Sequence, residues 1–190
     1  MRIVLPKTYH LVDLTYGPLF FLAGPVRGGD DWQKKCCDEI SKHFINFYAV
    51  IPRPYEMSHP LQAFKVAGKQ NYFDRQLPWE RHYLSLAATH GCLLFWLPAE
   101  SKTNPRLNGP YAQDTYGELG EWRGRLLYEP TSRIVIGAEP NFPGLSQIQR
   151  NFNEATGTDF PVYNTLEKTV AMAVEKIKQK TIHPQRKELL

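Results

Sequence analysis

Residues 18–31 read PLFFLAGPVRGGDD, an apolar run followed by a glycine-containing turn and two acidic residues. A short continuous apolar run that ends in a turn predicts a β-strand covered on both faces. Either Asp30 or Asp31 is then expected to cap a helix that runs to about Phe44, because aspartate is a favoured N-cap. The stretch therefore predicts a strand, a loop and a helix in succession, which is the repeating unit of an α/β fold.

The same alternation of strand and helix continues along the chain. Apolar runs predict four further strands, at 47–51, 92–97, 133–137 and 161–163. Helices are predicted between and after them, at 79–89, 115–127 and 166–178, and residues 145–152 are predicted to form a helix or a turn. This alternation predicts a parallel sheet with helices on both faces. We expect a doubly wound α/β sheet of five strands, with residues 1–17 adding a hairpin or a strap and 52–76 forming a long functional loop.

Length and charge limit the classes of partner. The 190 residues fit a single domain, which we place at 1–180, followed by a flexible tail at 181–190. The net charge of +4 suits an anionic small ligand such as a phosphate. The chain has no cluster of Lys and Arg interleaved with aromatic residues, which argues against nucleic acid as the main partner.

The cysteines and the apolar segments bear on location. Cys36, Cys37 and Cys92 show no CxxC or Cys/His ligand spacing, so we expect free thiols, no zinc and a reducing, cytoplasmic environment. Residues 1–14 lack the apolar core of a signal peptide. No apolar run approaches the roughly 18 residues of a membrane span, so no membrane partner is expected.

The expected fold also predicts where a ligand binds. In sheets of this kind, ligands lie beyond the carboxyl ends of the strands, near the point where the strand order reverses. That rule selects the loops after Ala23, Ile51 and Leu97 and the helix start near Thr115. Three groups of residues at or near these positions carry side chains suited to chemistry or to ligand binding.

The loop after the first predicted strand combines glycines with an arginine. Gly24, Gly28 and Gly29 lack a Cβ and let backbone N–H groups approach an anion at a helix start. Arg27 can add a forked, charge-assisted contact with phosphate. The alternative interpretation is a tight strand-to-helix turn with a surface arginine.

Two glutamates form the second group. Glu118 and Glu121 are three residues apart, so they share one face of a helix. Glu118 is predicted in the first turn, where the helix dipole favours the ionised carboxylate that a nucleophile at an anomeric carbon requires. Gly117 and Gly120 flank it and indicate close packing of another group. The alternative is an acidic first turn whose glycines serve helix–sheet packing.

The third group is Trp79 and Glu80, together with several aromatic residues. Glu80 is predicted in the first turn of a helix that leads into a buried strand, and its alternative interpretation is an ordinary helix-start acid. Some aromatic side chains in this region can stack on a nucleobase, and others are expected to pack in the core or to anchor the 52–76 loop. These aromatic residues are Trp79, Trp96, Tyr55, Phe64, Tyr72 and Phe73.

Taken together, these groups resemble the nucleoside 2-deoxyribosyltransferase-like family over roughly residues 18–137. The resemblance is carried by FFLAGP at 20–25, WE at 79–80, FWLP at 95–98 and GELGEW at 117–122. The run 24–29 also resembles the related 2′-deoxynucleoside 5′-monophosphate N-hydrolases, in which the equivalent arginine and glycines hold a 5′-phosphate. The resemblance implies a flavodoxin-like sheet and a homodimer or larger homo-oligomer whose site a neighbouring subunit completes. It also implies that no metal or organic cofactor is needed.

The resemblance implies roles for individual residues. Glu118 matches the glutamate that attacks C1′ and forms a glycosyl-enzyme while the base leaves. Glu80, with Asp114 as the alternative, matches the second carboxyl group, which protonates or orients the base as in a retaining glycosidase. Water or a second base then takes the sugar. The residues assigned to substrate binding are Phe21, Ala23, Gly24, Pro25, Arg27, Gly28, Gly29, Trp32, Trp79 and Gly117.

The chain departs from the family pattern at several positions. Phe21 stands where many members have a tyrosine, and Ala112 stands where an aspartate is usual. The pattern before the third predicted strand also differs, so His82 or Tyr83 is an alternative to Glu80. The expected function is cleavage or transfer of the N-glycosidic bond of a nucleoside or nucleotide. The alternatives are a 5′-monophosphate N-hydrolase, a non-catalytic nucleotide sensor and, more weakly, a flavodoxin-like redox domain.

Overall fold

The computed structural model describes residues 1–179, so the tail predicted at 181–190 lies outside the described residues. Strands and helices alternate along the chain as the apolar pattern predicts. The elements are β1 (Arg2–Val4), β2 (Leu19–Ala23), α1 (Trp32–Ser41), β3 (Tyr48–Val50), a 3-10 helix (Pro60–Phe64), α2 (Gln76–His90), β4 (Cys92–Leu97), α3 (Gln113–Leu126), β5 (Ile134–Ala138), α4 (Leu145–Thr156), β6 (Val162–Tyr163) and α5 (Leu166–Lys178).

The strands form one parallel sheet in the order β1-β3-β2-β4-β5-β6. Without β1, the remaining five strands have the 2-1-3-4-5 order of a flavodoxin-like sheet. The predicted α/β class and parallel sheet are therefore confirmed, and the predicted number of five strands is wrong. The sixth strand is β1, which lies at the edge and pairs with β3 from Arg2 opposite Tyr48 to Val4 opposite Val50.

The core consists of two layers, one on each face of the sheet. One layer packs α2, α3 and α4 against the sheet, through residues such as Trp79, Leu119 and Ile148. The other packs α1 and α5 against the opposite face, through residues such as Ile40 and Val170. Every residue of β2 and β4 is buried, because both strands are covered on both faces. This burial explains why both strands are continuous apolar runs in the sequence.

The first helix begins as the sequence predicts. Asp31 is its N-cap, and its carboxylate accepts a hydrogen bond from the backbone N–H of Lys34 at 3.4 Å. The same carboxylate accepts hydrogen bonds from the hydroxyl of Tyr55 at 2.7 Å and from Nε2 of His59 at 2.8 Å. Asp31 therefore also ties the long loop between β3 and α2 to the start of α1.

Residues 5–16 form a strap over α2 rather than a hairpin of their own. The indole N–H of Trp79 donates to the carbonyl of Thr8 at 3.0 Å, and the hydroxyl of Tyr83 donates to the carbonyl of His10 at 3.0 Å. Backbone hydrogen bonds join Tyr9 and Lys69 in both directions. The strap therefore links the first strand to the helix that carries Glu80.

Two further expectations concern the cysteines and the membrane. Cys36, Cys37 and Cys92 are all buried, free thiols. Burial raises the pKa of each thiol, so all three are kept in the protonated form. Among residues 1–179, no helix combines the length and the apolar character needed to cross a membrane.

Candidate functional site

A cavity of about 430 Å³ lies beyond the carboxyl ends of β2, β3 and β4. In this sheet β3 and β4 flank β2, so this is the point at which the strand order reverses and where ligands of such sheets bind. The volume lies in the range of small-molecule sites. The lining residues are Gly24, Pro25, Val26, Arg27, Pro52, Pro54, Gln76, Leu77, Glu80, Arg106, Ala112, Asp114, Thr115 and Glu118.

The loop after β2 has its shape fixed by Gly24 and by a buried tryptophan. Gly24 has φ +143°, and a Cβ on it would lie 2.1 Å from the carbonyl oxygen of Trp96. The indole N–H of Trp32 donates to the carbonyl of Pro25 at 3.0 Å. The backbone of 24–27 therefore enters the cavity along a path that only glycine permits at its first residue.

The two following glycines serve the neighbouring loop and do not line the cavity. Gly28 has φ +77°, and a Cβ on it would lie 2.9 Å from the backbone nitrogen of Arg106. Its carbonyl accepts a hydrogen bond from the N–H of Ser101 at 2.7 Å. The carbonyl of Gly29 accepts a hydrogen bond from Nη2 of Arg53 at 3.1 Å. The contacts of Gly28 hold the 99–111 segment between β4 and α3 against the loop before α1, and the contact of Gly29 holds the β3–α2 loop there.

Three carboxyl groups from two helices line the same cavity: Glu80 on α2, and Asp114 and Glu118 on α3. Both glutamates were predicted in the first turn of a helix, and that prediction is wrong for both. Ala112 adopts a left-handed conformation with φ 58° and starts α3 at Gln113, so Glu118 falls in the second turn. Glu80 also falls in the second turn, because α2 begins before Pro78, and proline is tolerated throughout a first turn.

The protonation of Glu118 differs from the expected ionised form. Its pKa is raised to about 8, first by burial and then by the negative charges of Glu80, Asp114 and Glu121. Within residues 1–179, Glu118 makes no hydrogen bond and no ion pair that would stabilise its charge. The helix dipole falls off beyond the first turn, so burial and like charge prevail. Glu118 is therefore mostly protonated at pH 7.

The second glutamate is held by a glutamine. Gln76 donates from Nε2 to the carboxylate of Glu80 at 2.6 Å and to the carbonyl of Pro52 at 3.1 Å. Burial raises the pKa of Glu80, the charge of Asp114 adds to this effect, and the hydrogen bond from Gln76 opposes it. The arrangement fixes the position of one carboxyl group beside the cavity and favours its protonated form.

Arg106 lines the cavity and is a residue that the sequence analysis misses. Its side chain is 10% exposed, and its Nη1 lies 3.9 Å from the carboxylate of Asp114, whose side chain is 80% exposed. Arg106 lies in a loop with Pro, Asn and Gly neighbours and follows no periodic pattern. The only available signal is that the loop follows a strand at the carboxyl edge of the sheet.

Several residues assigned to substrate binding lie elsewhere in the structure. Phe21 and Trp79 are buried in the core with their ring centres 6.1 Å apart, and Ala23 and Trp32 are also buried. Gly117 lies on the outer surface of α3, where a Cβ would meet no other atom within 4 Å. In the described part of the chain, no aromatic side chain lines the cavity. Its apolar walls come instead from Val26, Leu77 and the prolines of the β3–α2 loop.

The predicted residues that do meet at the cavity are Gly24, Pro25 and Arg27 from one loop and Glu80, Asp114 and Glu118 from two helices. For residues 1–179, no group of three His, Cys, Asp or Glu side chains has a metal-binding arrangement. The cavity thus combines carboxyl groups, of which Glu118 can hold or release a proton near neutral pH, with an arginine-bearing loop.

Comparison with protein-family models and with curated proteins finds no match to this chain. The function is therefore inferred from the residues of the cavity and from the sequence resemblance described above.

Proposed function

We propose that this protein cleaves or transfers the N-glycosidic bond of a nucleoside or nucleotide, with Glu118 acting at C1′. The observation that carries the proposal is that Glu118 and Glu80, from different helices, line one cavity at the switch point of the sheet. After burial, the charge of Glu80 is the largest influence that raises the pKa of Glu118. Paired carboxyl groups of this kind are the usual means of breaking a glycosidic bond with retention.

In the proposed reaction, the ionised carboxylate of Glu118 forms a bond to C1′ while the bond from C1′ to the base nitrogen breaks. The bonding electrons leave with the base, which receives a proton from the carboxylic acid of Glu80 or Asp114. In the second step, water or another base attacks C1′ and releases Glu118. The carboxylate left by the first proton transfer then accepts a proton from the attacking group.

The raised pKa of Glu118 is compatible with this role. A pKa of about 8 leaves about a tenth of the molecules with Glu118 ionised at pH 7. A tenfold smaller reactive population corresponds to about 1.4 kcal/mol of barrier, which is small beside the total barrier reduction of 8 kcal/mol or more that is typical of enzymes. The burial that raises the pKa also removes water that would compete for the sugar.

The resemblance to the nucleoside 2-deoxyribosyltransferase-like family supports the same function, because its motifs contribute Gly24, Glu80 and Glu118 to the cavity. By the same resemblance we propose a cytoplasmic homodimer or larger homo-oligomer that needs no cofactor. Leu77, at the cavity, is 50% exposed, and Leu107 is 89% exposed. Apolar side chains in such positions are suited to cover by a neighbouring subunit.

The test is release of free base from the 2′-deoxynucleosides, the ribonucleosides and their 5′-monophosphates, each with and without an added acceptor base. We expect Glu118→Gln to reduce release by about 10³-fold or more, as loss of a nucleophile does in other enzymes. The matched control is Glu154→Gln, an exposed position on α4 away from the cavity. Base release that is equal in Glu118→Gln and in the wild type contradicts the proposal. Transfer to the acceptor base distinguishes a transferase from a hydrolase.

A second candidate function is a nucleotide sensor without catalysis. It is favoured by the raised pKa of Glu118, since a protonated carboxyl group is a hydrogen-bond donor and a poor nucleophile. The same panel of compounds separates the two functions. Tight binding of a nucleotide with no base released over many hours supports the sensor.

A further inference from the structure

Arg106 is a buried guanidinium whose hydrogen-bonding capacity is largely unused. Its side chain is nine-tenths buried, and only its Nε has a hydrogen-bond acceptor, the carbonyl of Asn108 at 2.7 Å. The nearest carboxylate, that of Asp114, is 3.9 Å from Nη1, which is longer than a hydrogen bond. Among residues 1–179, the two terminal nitrogens of Arg106 therefore have no acceptor at hydrogen-bonding distance. A buried charged group in this condition is unfavourable unless a ligand completes it.

The backbone places Arg106 beside Arg27. A Cβ on Gly28 would lie 2.9 Å from the nitrogen and 3.1 Å from the Cβ of Arg106, so residue 28 touches the backbone of residue 106. The position of this loop is further fixed by Glu100, whose carboxylate accepts a hydrogen bond from the N–H of Arg106 at 2.8 Å. Arg27 immediately precedes Gly28 and lines the same cavity. Two arginines from loops whose backbones touch therefore line the same cavity.

Arg27 is also available to a ligand. Its side chain is exposed, and in the described chain it makes no hydrogen bond and no ion pair. Two guanidinium groups with free N–H donors suit an oxyanion that carries more than one charge, since arginine binds phosphate through paired, parallel hydrogen bonds. Asp114 does not fill this role, because its exposed carboxylate makes only the long contact described above.

The two glutamates and the two arginines line one cavity from different parts of the chain, with the glutamates on α2 and α3 and the arginines in loops. Asp114 relates to both kinds of group, because its charge raises the pKa of Glu118 and its carboxylate lies 3.9 Å from Nη1 of Arg106. The cavity therefore offers carboxyl groups, which can attack a glycosidic bond, and guanidinium groups, which can hold an anion. A ligand that spans both carries a phosphate at a distance from its reacting carbon.

We propose that Arg106 and Arg27 together form a site for the phosphate group of a nucleotide, and that Arg106 makes the protein select nucleotides over nucleosides. The identification of the bound phosphate as part of a substrate rests on the proposed function, whereas anion binding by the two arginines does not.

Binding is measured by titration calorimetry with three kinds of probe: inorganic phosphate, the 2′-deoxynucleosides and the 2′-deoxynucleoside 5′-monophosphates. We expect Arg106→Gln to weaken monophosphate binding by about 10- to 100-fold, the range for a hydrogen bond to a charged group. Nucleoside affinity is expected to stay unchanged. Arg106→Lys keeps the charge but loses the forked geometry, so it is expected to give an intermediate loss.

The matched control is Arg150→Gln, which removes one positive charge from the exposed surface of α4. It is expected to leave all affinities unchanged. Thermal unfolding of each variant checks that it is folded. If Arg106→Gln does not fold, the comparison of Arg106→Lys with the wild type tests the proposal instead. Equal weakening of nucleoside and monophosphate binding, or no weakening of either, overturns the proposal. So does a wild-type protein that binds neither phosphate nor any monophosphate.

The outcomes also separate this proposal from the proposed function. If monophosphate binding depends on Arg106 but no base is ever released, the phosphate site is supported and the glycosidic reaction is not. If base release depends on Glu118 but proceeds equally well from nucleosides and monophosphates in the wild type and in Arg106→Gln, the reaction is supported and the phosphate site is overturned.

Discussion

Replacing Glu118 by Gln is expected to stabilise the protein at neutral pH while it removes the proposed activity. In the folded protein the pKa of Glu118 is about 8, against an ordinary value of 4.5. At pH 7, which is 2.5 units above the ordinary pKa, Glu118 is ionised in the unfolded chain and mostly protonated in the folded one. Taking up this proton on folding therefore lowers the free energy of unfolding by at most about 3 kcal/mol. Because part of the side chain still meets water, we expect a gain of about 1 to 3 kcal/mol at pH 7.

The sign of the effect follows from the direction of the pKa shift. Below about pH 4.5 Glu118 is protonated in both the folded and the unfolded chain, so the variant and the wild type are expected to have similar stability. As pH rises, only the unfolded chain ionises, and the wild type loses stability until the pH passes about 8. The difference between variant and wild type is therefore expected to grow between about pH 5 and pH 8 and then to level off.

The assay is urea unfolding at several pH values from 5 to 9, with the free energy of unfolding of each variant compared with that of the wild type. Glu154→Gln, at an exposed position on α4, serves as the control and is expected to change stability by less than about 0.5 kcal/mol at every pH. A stability difference for Glu118→Gln that does not vary with pH refutes the burial of an ionisable group at this position.

Three further expectations concern activity and the glycines around the cavity. If Glu118 is the nucleophile, base release rises with pH through an apparent pKa near 8, and a rate that falls instead over this range identifies it as a proton donor. Gly24→Ala is expected to lower the free energy of unfolding by more than about 2 kcal/mol, because the new methyl group would lie 2.1 Å from the carbonyl oxygen of Trp96 at a φ of +143°. Gly117→Ala should instead raise it by about 0.5 to 1 kcal/mol, since the position is helical and open; equal effects of the two alanine variants in denaturant titrations contradict this account of the glycines.

The parts of the fold that the sequence predicts best are those buried on both faces. The strand β4 is found at Cys92–Leu97 as predicted, because six consecutive buried positions leave an unbroken apolar run. The strand β1 was not predicted, since its three residues include Arg2 at a partly exposed edge and show no such run. A strand this short is specified by its pairing with β3, which is a long-range contact that local pattern does not record.

The site was predictable where chemistry and topology coincide. Gly24, Arg27 and Glu118 were selected because they follow strands whose carboxyl ends meet, and the structure brings all three to one cavity. The raised pKa of Glu118 was not predictable, because it depends first on burial in the folded chain and then on the charge of Glu80, some forty positions away. The same limit applies to Arg106, whose importance depends on contact with Gly28 in another loop.

The strap over α2 has a consequence for how the protein can be handled and altered. Trp79, the residue before Glu80, donates its indole N–H to the carbonyl of Thr8, and the hydroxyl of Tyr83 donates to the carbonyls of Thr8 and His10. Deleting the first ten residues would leave both groups buried without an acceptor, at a cost of about 1 to 3 kcal/mol each. Loss of the strap is therefore expected to alter the position of α2, and with it the geometry of the acidic groups in the cavity.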